Sequence, residues 1–174
     1  GGVNTRPRAR LAGVLATTEI KGIIVAHWLM KSEPDAFSID DLKQAKVEPW
    51  DGIRNYQARN MFRDDFRIGD NVLFYHSSCK VPAVVGTATV VSEAYPDPTQ
   101  FDPETKYYDP KSDPDDPRWL LVDLRFERKL KRAIPLTEIK ATSGLDGFRL
   151  IQRGNRLSVF PVAKKHWDIV LGLE

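Results

Sequence analysis

In two segments of the chain side chains alternate with a period of two, the repeat of a pleated strand, and shorter apolar runs lie between them. Trp28 and Met30 alternate with His27, Leu29 and Lys31, and Pro34 ends that run, so His27–Lys31 reads as a strand. Val72–His76 is strongly apolar, and Ala83–Val91 is rich in β-branched residues; both read as strands, joined by residues 77–82. Leu120, Val122, Leu124 and Phe126 alternate within a long strand over Trp119–Arg132, and Arg156–Phe160 is a last one. Helical spacing is confined to short segments. Ser38 is placed to cap a helix over Ile39–Ala45, with Asp40 and Asp41 in its first turn, where carboxylates suit the helix dipole. Residues 55–66 predict a second helix, with Arg59, Arg63 and Arg67 on one face. Ile134–Lys140 is a short helical candidate, and Pro161 can open a C-terminal helix whose Trp167, Val170 and Leu171 share a face. Five or six strands, three or four short helices and no βαβ repeat predict an α+β domain on a small curved or barrel-like sheet.

At 174 residues the chain fits one domain, two at most. No run approaches 18 apolar residues, so no membrane association is expected. Cys79 is the only cysteine, which excludes an internal disulfide and a cysteine-cluster metal site. His27, His76 and His166 show no metal-ligand spacing, and the glycines never form a phosphate-cradling loop, so neither metal nor cofactor is expected. The net charge of +2 hides a division: residues 1–26 carry +3 and residues 27–174 carry −1. The first 26 residues read as a flexible extension. The near-neutral remainder argues against a protein that coats long duplex DNA and allows a partner held in a small pocket.

Three segments concentrate candidate chemistry. Lys31, Ser32 and Glu33 end the first strand, where polar groups either line a site or simply enter solvent. Pro49-Trp50-Asp51-Gly52 reads as a turn, and a tryptophan there is either a stacking platform or a core plug. Asn55 and Asn60 can read a base edge, and Arg54, Arg59 and Arg63 can hold phosphates or pair with Asp64, Asp65 and Asp70. His76, Ser77 and Cys79 are reactive types, but adjacent strand residues face opposite ways, so His76 suits a hydrogen-bonding role better than catalysis. Residues 95–117 hold six of the twelve prolines and a net charge of −5; loops this long are usually functional or mobile.

The runs HWLMKSEPDAFSIDDL, WDGIRNYQARN and GDNVLFYHSSCKVPAVVGTA strongly resemble the EVE domain family, as do EAYPDPTQFDP, YYDP, PRWLLVDLRF and RLSVFPV in the same order. The resemblance covers residues 27–174. It implies a PUA-like fold, a small β-barrel flanked by helices, and a kinship with YTH domains, which hold a methylated adenine in an aromatic cage. It also implies a non-catalytic module that reads a modified base in DNA or RNA, with 5-methylcytosine and 5-hydroxymethylcytosine among the candidates.

By that analogy Lys31 and Ser32 lie beside the base pocket and Trp50 resembles the first cage tryptophan. Asp51-Gly52 replaces the Ser-Thr of YTH, and Glu33 stands where methyladenine readers often carry Asn. A carboxylate at Asp51 or Glu33 suits the exocyclic amine of cytosine better. The expected pocket is thus Lys31, Ser32, Glu33, Trp50, Asp51, Asn55, His76 and Ser77, with Arg54, Arg59 and Arg63 on the nucleic-acid backbone. A monomer is expected, nuclear in a eukaryote and cytoplasmic in a bacterium. The competing readings are an enzyme acting on a nucleotide or RNA through His76, Ser77 or Asp51, and a protein-interaction domain using the acidic loop.

Overall fold

Strand β2 (Ile23–Ser32) is the spine of the sheet, and the alternation of its side chains creates two cores. Trp28 and Met30 enter one, with Val72, Phe74, Phe62, Phe66 and Trp50; Leu29 enters the other, with Leu73, Tyr75, Phe148 and Phe160. A strand covered on both faces is apolar at successive positions, which is how Val72–Tyr75 reads. The computed structural model describes residues 17–20 and 23–174.

Strand β1 (Thr17–Ile20) pairs antiparallel with the first half of β2. Of the expected extension, residues 1–16, 21 and 22 lie outside the described residues, whereas 17–20 and 23–26 form this ladder. The chain then passes through α1 (Ile39–Ala45), β3 (Val47–Pro49), α2 (Tyr56–Asp64), β4 (Asn71–His76), β5 (Ala83–Val90), β6 (Tyr95–Pro96), β7 (Leu120–Leu121), β8 (Asp123–Pro135), α3 (Leu136–Lys140), β9 (Val159–Pro161) and α4 (Lys164–Leu171). The main sheet has the order β1-β2-β4-β5-β8-β3, with β9 also on β2; among the described strands β2–β4 is the one parallel pair. Register shifts in β4–β5 and β5–β8 bend these strands, and the mixed sheet curls into a half-barrel flanked by short helices.

Several elements differ from the sequence pattern: the last strand covers Val159–Pro161 and not Arg156–Phe160, and Pro161 ends that strand while the C-terminal helix opens at Lys164. The strand expected over Trp119–Arg132 is divided: β7 pairs with β6, whereas β8 pairs with β5 and β3. Between them the Val122 carbonyl accepts from the Trp50 backbone N–H (2.9 Å), which ties the Trp50 turn to this break. Val47–Pro49 joins β8 as an edge strand, where Pro49 at its end disturbs no interior ladder. In α4, Val170 is fully buried with His166, while Trp167 and Leu171 pack at the margin of the second core.

The caps of α1 and α2 follow local chemistry. Ser38 and Asp41 form a reciprocal capping box on α1, and the Asn55 side chain accepts from Ala58 N–H at the start of α2.

The acidic segment 95–117 is held by its own buried polar groups. Gln100 is fully buried; its Nε2 donates to the carbonyls of Asp97 (2.7 Å) and Trp119 (2.9 Å), and its Oε1 accepts from Ser112 Oγ (2.6 Å) and Trp119 N–H (3.1 Å). Trp119 Nε1 donates to Asp109 (2.7 Å). One amide side chain thus organises a stretch with almost no regular structure.

Candidate nucleic-acid interface

The ends of β2 and β4 lie side by side because these strands run parallel: Ser32 pairs with His76, and Ser77 N–H donates to the Ser32 carbonyl (2.9 Å). Ser32 Oγ donates to the Phe37 carbonyl (2.5 Å), fixing the turn between β2 and α1. Beside these ends opens a cavity of about 670 Å³, within the usual range for ligand pockets of ~300–1,000 Å³. Its lining comes from five places: Lys31–Glu33 with Phe37, the Glu48–Ile53 turn, Ser77-Ser78 after β4, Lys106-Tyr107 of the acidic segment, and Arg156 with Ser158 ahead of β9.

Trp50 borders the cavity and is also part of the first core. It is only 8% exposed, with Phe74 and Phe37 edge-on at 5.6 and 6.0 Å. The sequence left open a choice between platform and plug, and the indole occupies the boundary between the two environments. Tyr107 is the more accessible aromatic. Its ring lies over Gly52, whose φ of +83° is a conformation that side chains rarely adopt and where an added Cβ would come 2.6 Å from the ring. Gly52→Ala is therefore expected to displace Tyr107, weaken ligand binding about tenfold or more, and cost roughly 1–2 kcal/mol of stability; titration calorimetry and thermal melts check both.

A buried polar staple holds this arrangement. Asp97 is fully buried, and its Oδ2 accepts from Gly52 N–H (2.8 Å) and Arg54 Nη1 (2.9 Å), while Oδ1 accepts from Thr99 N–H (2.8 Å) and Thr99 Oγ1 (2.6 Å). Burial pushes the Asp97 carboxyl pKa up, but the hydrogen bonds from Thr99, Gly52 and Arg54 outweigh it and hold the group below its ordinary value. Arg54 completes the staple: Nε and Nη2 both donate to the Tyr107 carbonyl (3.1 and 2.8 Å), Nη2 also to Thr99 Oγ1 (3.0 Å), and Nη1 also to its neighbour's carbonyl at Ile53 (3.0 Å). All five N–H groups are used, and the guanidinium lies near the rings of Tyr107 and Trp119 (5.6 and 5.5 Å).

The electrostatics of the lining are mixed. Burial raises the carboxyl pKa values of Asp51 and Glu48; the charge of Asp97 adds to the shift at Asp51, that of Asp51 adds at Glu48, and Arg54 opposes it at Asp51. Lys31, half-buried with its Nζ 5.7 Å from the Phe160 ring, has its pKa lowered by burial. The walls thus combine aromatic faces, two crowded carboxylates and a desolvated ammonium, a set suited to a flat polar ligand with hydrogen-bond donors. Among the described residues no cluster of three His, Cys, Asp or Glu could hold a metal ion, and no helix is long and apolar enough to cross a membrane.

The family model for the EVE domain matches residues 26–173. The chain belongs to the EVE domain family. Human thymocyte nuclear protein 1 is 45% identical over 168 residues, covering 86% of this chain and 74% of the human one. A crystal structure of the human THYN1 protein in complex with 5-methylcytosine containing DNA is 46% identical, with a TM-score of 0.79, covering 84% of this chain and 96% of that one. A protein of Pseudomonas putida is 44% identical, with a TM-score of 0.82, covering 85% and 99%. The small PUA-like barrel with flanking helices expected from the resemblance is the fold found, its sheet curled into a half-barrel.

Of the residues expected in the EVE pocket, Lys31, Ser32, Glu33, Trp50, Asp51 and Ser77 line the cavity. Asn55 and His76 do not. The Asn55 side chain caps α2, and His76 Nε2 accepts from Ile39 N–H (3.1 Å), so each serves a neighbouring helix N-terminus. The arginines expected on a phosphate backbone are engaged by acceptors of the protein itself, Arg63 in an exposed pair with its neighbour. Arg54 is consumed by the staple; Arg59 donates to the Arg118 carbonyl (3.0 Å) and Asn60 (2.9 Å) and covers the Tyr56 ring; Arg63 is paired with Asp64 (2.8 Å). Tyr107, Lys106, Glu48, Phe37, Arg156 and Ser158 were absent from the expected set. The unusual length of the acidic segment was a signal for Tyr107; the sequence carried none for Glu48, which reaches the site through edge strand β3.

Proposed function

We propose that this EVE domain is a non-catalytic reader that takes a single modified cytosine from DNA into the cavity between the Trp50 turn and Tyr107. The observation that carries the reading is the composition of that cavity: aromatic walls from Trp50, Tyr107 and Phe37 next to the carboxylates of Asp51 and Glu48. The human THYN1 protein in complex with 5-methylcytosine containing DNA, 46% identical to this chain, supports the choice of base. Extruding a base costs a few kcal/mol of stacking and pairing, and stacking on an aromatic side chain returns about 1–3 kcal/mol. A carboxylate accepts from the cytosine N4 amine. Selectivity for the modification then rests on how the 5-substituent fills the apolar part of the wall.

The competing catalytic reading through His76, Ser77 or Asp51 receives less support. His76 lies off the cavity lining, and its Nε2 is occupied by the α1 backbone. The test is binding of the full chain, at fixed salt, to matched oligonucleotides bearing cytosine, 5-methylcytosine, 5-hydroxymethylcytosine or 6-methyladenine. A preference for a 5-modified cytosine with no turnover is expected; equal affinity for all four, or conversion of any of them, overturns the reading.

Asp51 gives a second expectation whose sign is opposite for binding and for stability. Because its pKa is raised in the fold, ionised Asp51 destabilises the folded protein fully at pH values above its folded pKa, and that penalty shrinks as pH falls through it and is gone below the unfolded carboxylate pKa of about 3.9. Asp51→Asn should therefore raise Tm slightly at pH 7 while weakening the cytosine-class ligand about tenfold. Unchanged affinity would remove Asp51 from the base contact.

A further inference from the structure

We propose that the loop 149–156 is the phosphate clamp of this domain, gripping the DNA backbone beside the extruded base; the proposal rests on the reader function above. Residues 148–158 contain Arg149, Arg153 and Arg156 and no carboxylate. Among the described residues none of these three side chains has a hydrogen-bond or ion-pair partner, in contrast to Arg54, Arg59 and Arg63. Arg153 and Arg156 are exposed, and Arg156 lines the cavity, so the loop ends at the base site.

The loop backbone is ordered without these side chains. Asn155 Nδ2 donates to the Arg149 carbonyl (2.9 Å), Asn155 Oδ1 accepts from Leu157 N–H (3.2 Å), and Gly154 makes the turn at φ +79°. Three guanidinium groups are thereby presented on a fixed turn, free to take the bidentate geometry that phosphate oxygens favour.

The other loop that reaches the cavity has the opposite charge. Asp102, Glu104, Asp113, Asp115 and Asp116 are all exposed on the segment that carries Tyr107, with only Lys106 and Lys111 as cations. An extruded nucleotide keeps its two phosphates at the cavity mouth. The strand is repelled by the acidic segment and drawn to the arginine loop, so the charge pattern sets the side on which the backbone lies.

The experiment is a salt titration of full-chain binding to duplexes with and without 5-methylcytosine, comparing the unaltered protein with Arg153→Ala/Arg156→Ala and with Arg59→Ala/Arg63→Ala. The loop variant should lower the slope of log affinity against log salt by about two units, close to one per lost phosphate contact. Its loss should fall on modified and unmodified duplexes alike, with an unchanged melting temperature, and the helix variant should keep the full slope. An unchanged slope in the loop variant overturns the clamp, as does a loss confined to the modified duplex. If the unaltered protein binds both duplexes equally while the slope still falls, the clamp stands and the base-reading function fails. No salt-dependent DNA binding by the unaltered protein overturns both.

Discussion

Trp50→Ala is expected to abolish binding of the modified base and to lower the stability of the domain by about 3–5 kcal/mol, the usual cost of emptying a core aromatic site. The indole is 8% exposed and in edge contact with Phe37 and Phe74, so its removal leaves a cavity that the sheet cannot close. For a domain of this size the loss corresponds to a fall in Tm of roughly 10 °C. Because a destabilised protein also binds poorly, the decisive variant is Trp50→Phe. A phenyl ring retains most of the packing and part of the wall. It should keep the fold while losing a share of the ~1–3 kcal/mol that stacking on an aromatic ring contributes. If Trp50→Phe melts early yet binds with full affinity, Trp50 supports the core alone and Tyr107 carries the stacking; Tyr107→Ala would then be the variant that loses binding without a large change in Tm.

Arg54→Ala is expected to cost about 3–5 kcal/mol, since removing one partner of a buried ion pair leaves the other as an uncompensated charge. Asp97 is fully buried, and Arg54 is its one cationic partner among the described residues. The same change removes both donors to the Tyr107 carbonyl, so residues 102–111 should become sensitive to proteases and base binding should fall more than tenfold. Arg54→Lys should preserve the charge and part of the stability but not the forked contact that holds Tyr107. Proteolysis with mass mapping separates this outcome from global unfolding: cleavage spread over the whole chain would show that the staple supports the fold generally and not the loop.

Acid should act on the same staple. The Asp97 pKa lies below its ordinary value in the folded protein, so its contribution is fully present above the unfolded carboxylate pKa of about 3.9 and is lost as pH falls through the folded value. Loosening of the 97–107 segment is therefore expected only below about pH 4. Onset near neutrality would point to a different group.

The secondary elements that position the site were readable from local pattern. Alternation in His27–Lys31 and the unbroken apolar run Val72–Tyr75 specify two strands buried on both faces, because each residue's side chain has only two directions to take. Ser38 and Asn55 announce their helices because capping involves atoms three residues apart. The Trp50 turn was equally visible, since Pro-Trp-Asp-Gly is turn chemistry, but whether its indole is a platform or a core plug was not.

The roles of the individual polar residues were decided by the tertiary structure. Arg54, Arg59 and Arg63 look alike in sequence as cations on or near a helix, yet all three are engaged by acceptors within the fold. Arg153 and Arg156, unremarked in the sequence, have no such acceptor among the described residues. Asn55 and His76 are good base-reading types, but each lies beside a helix N-terminus whose N–H groups require an acceptor. Tyr107, Glu48 and Arg156 come to one cavity from segments about 50 residues apart. A side chain's type is a local property, whereas whether its hydrogen-bonding capacity is left for a ligand depends on every acceptor and donor that distant parts of the chain bring within 3 Å. Sequence pattern therefore determines the central strands, most helices and the family of this protein, whereas the folded packing determines the edge strands and which of its charges remain available to bind.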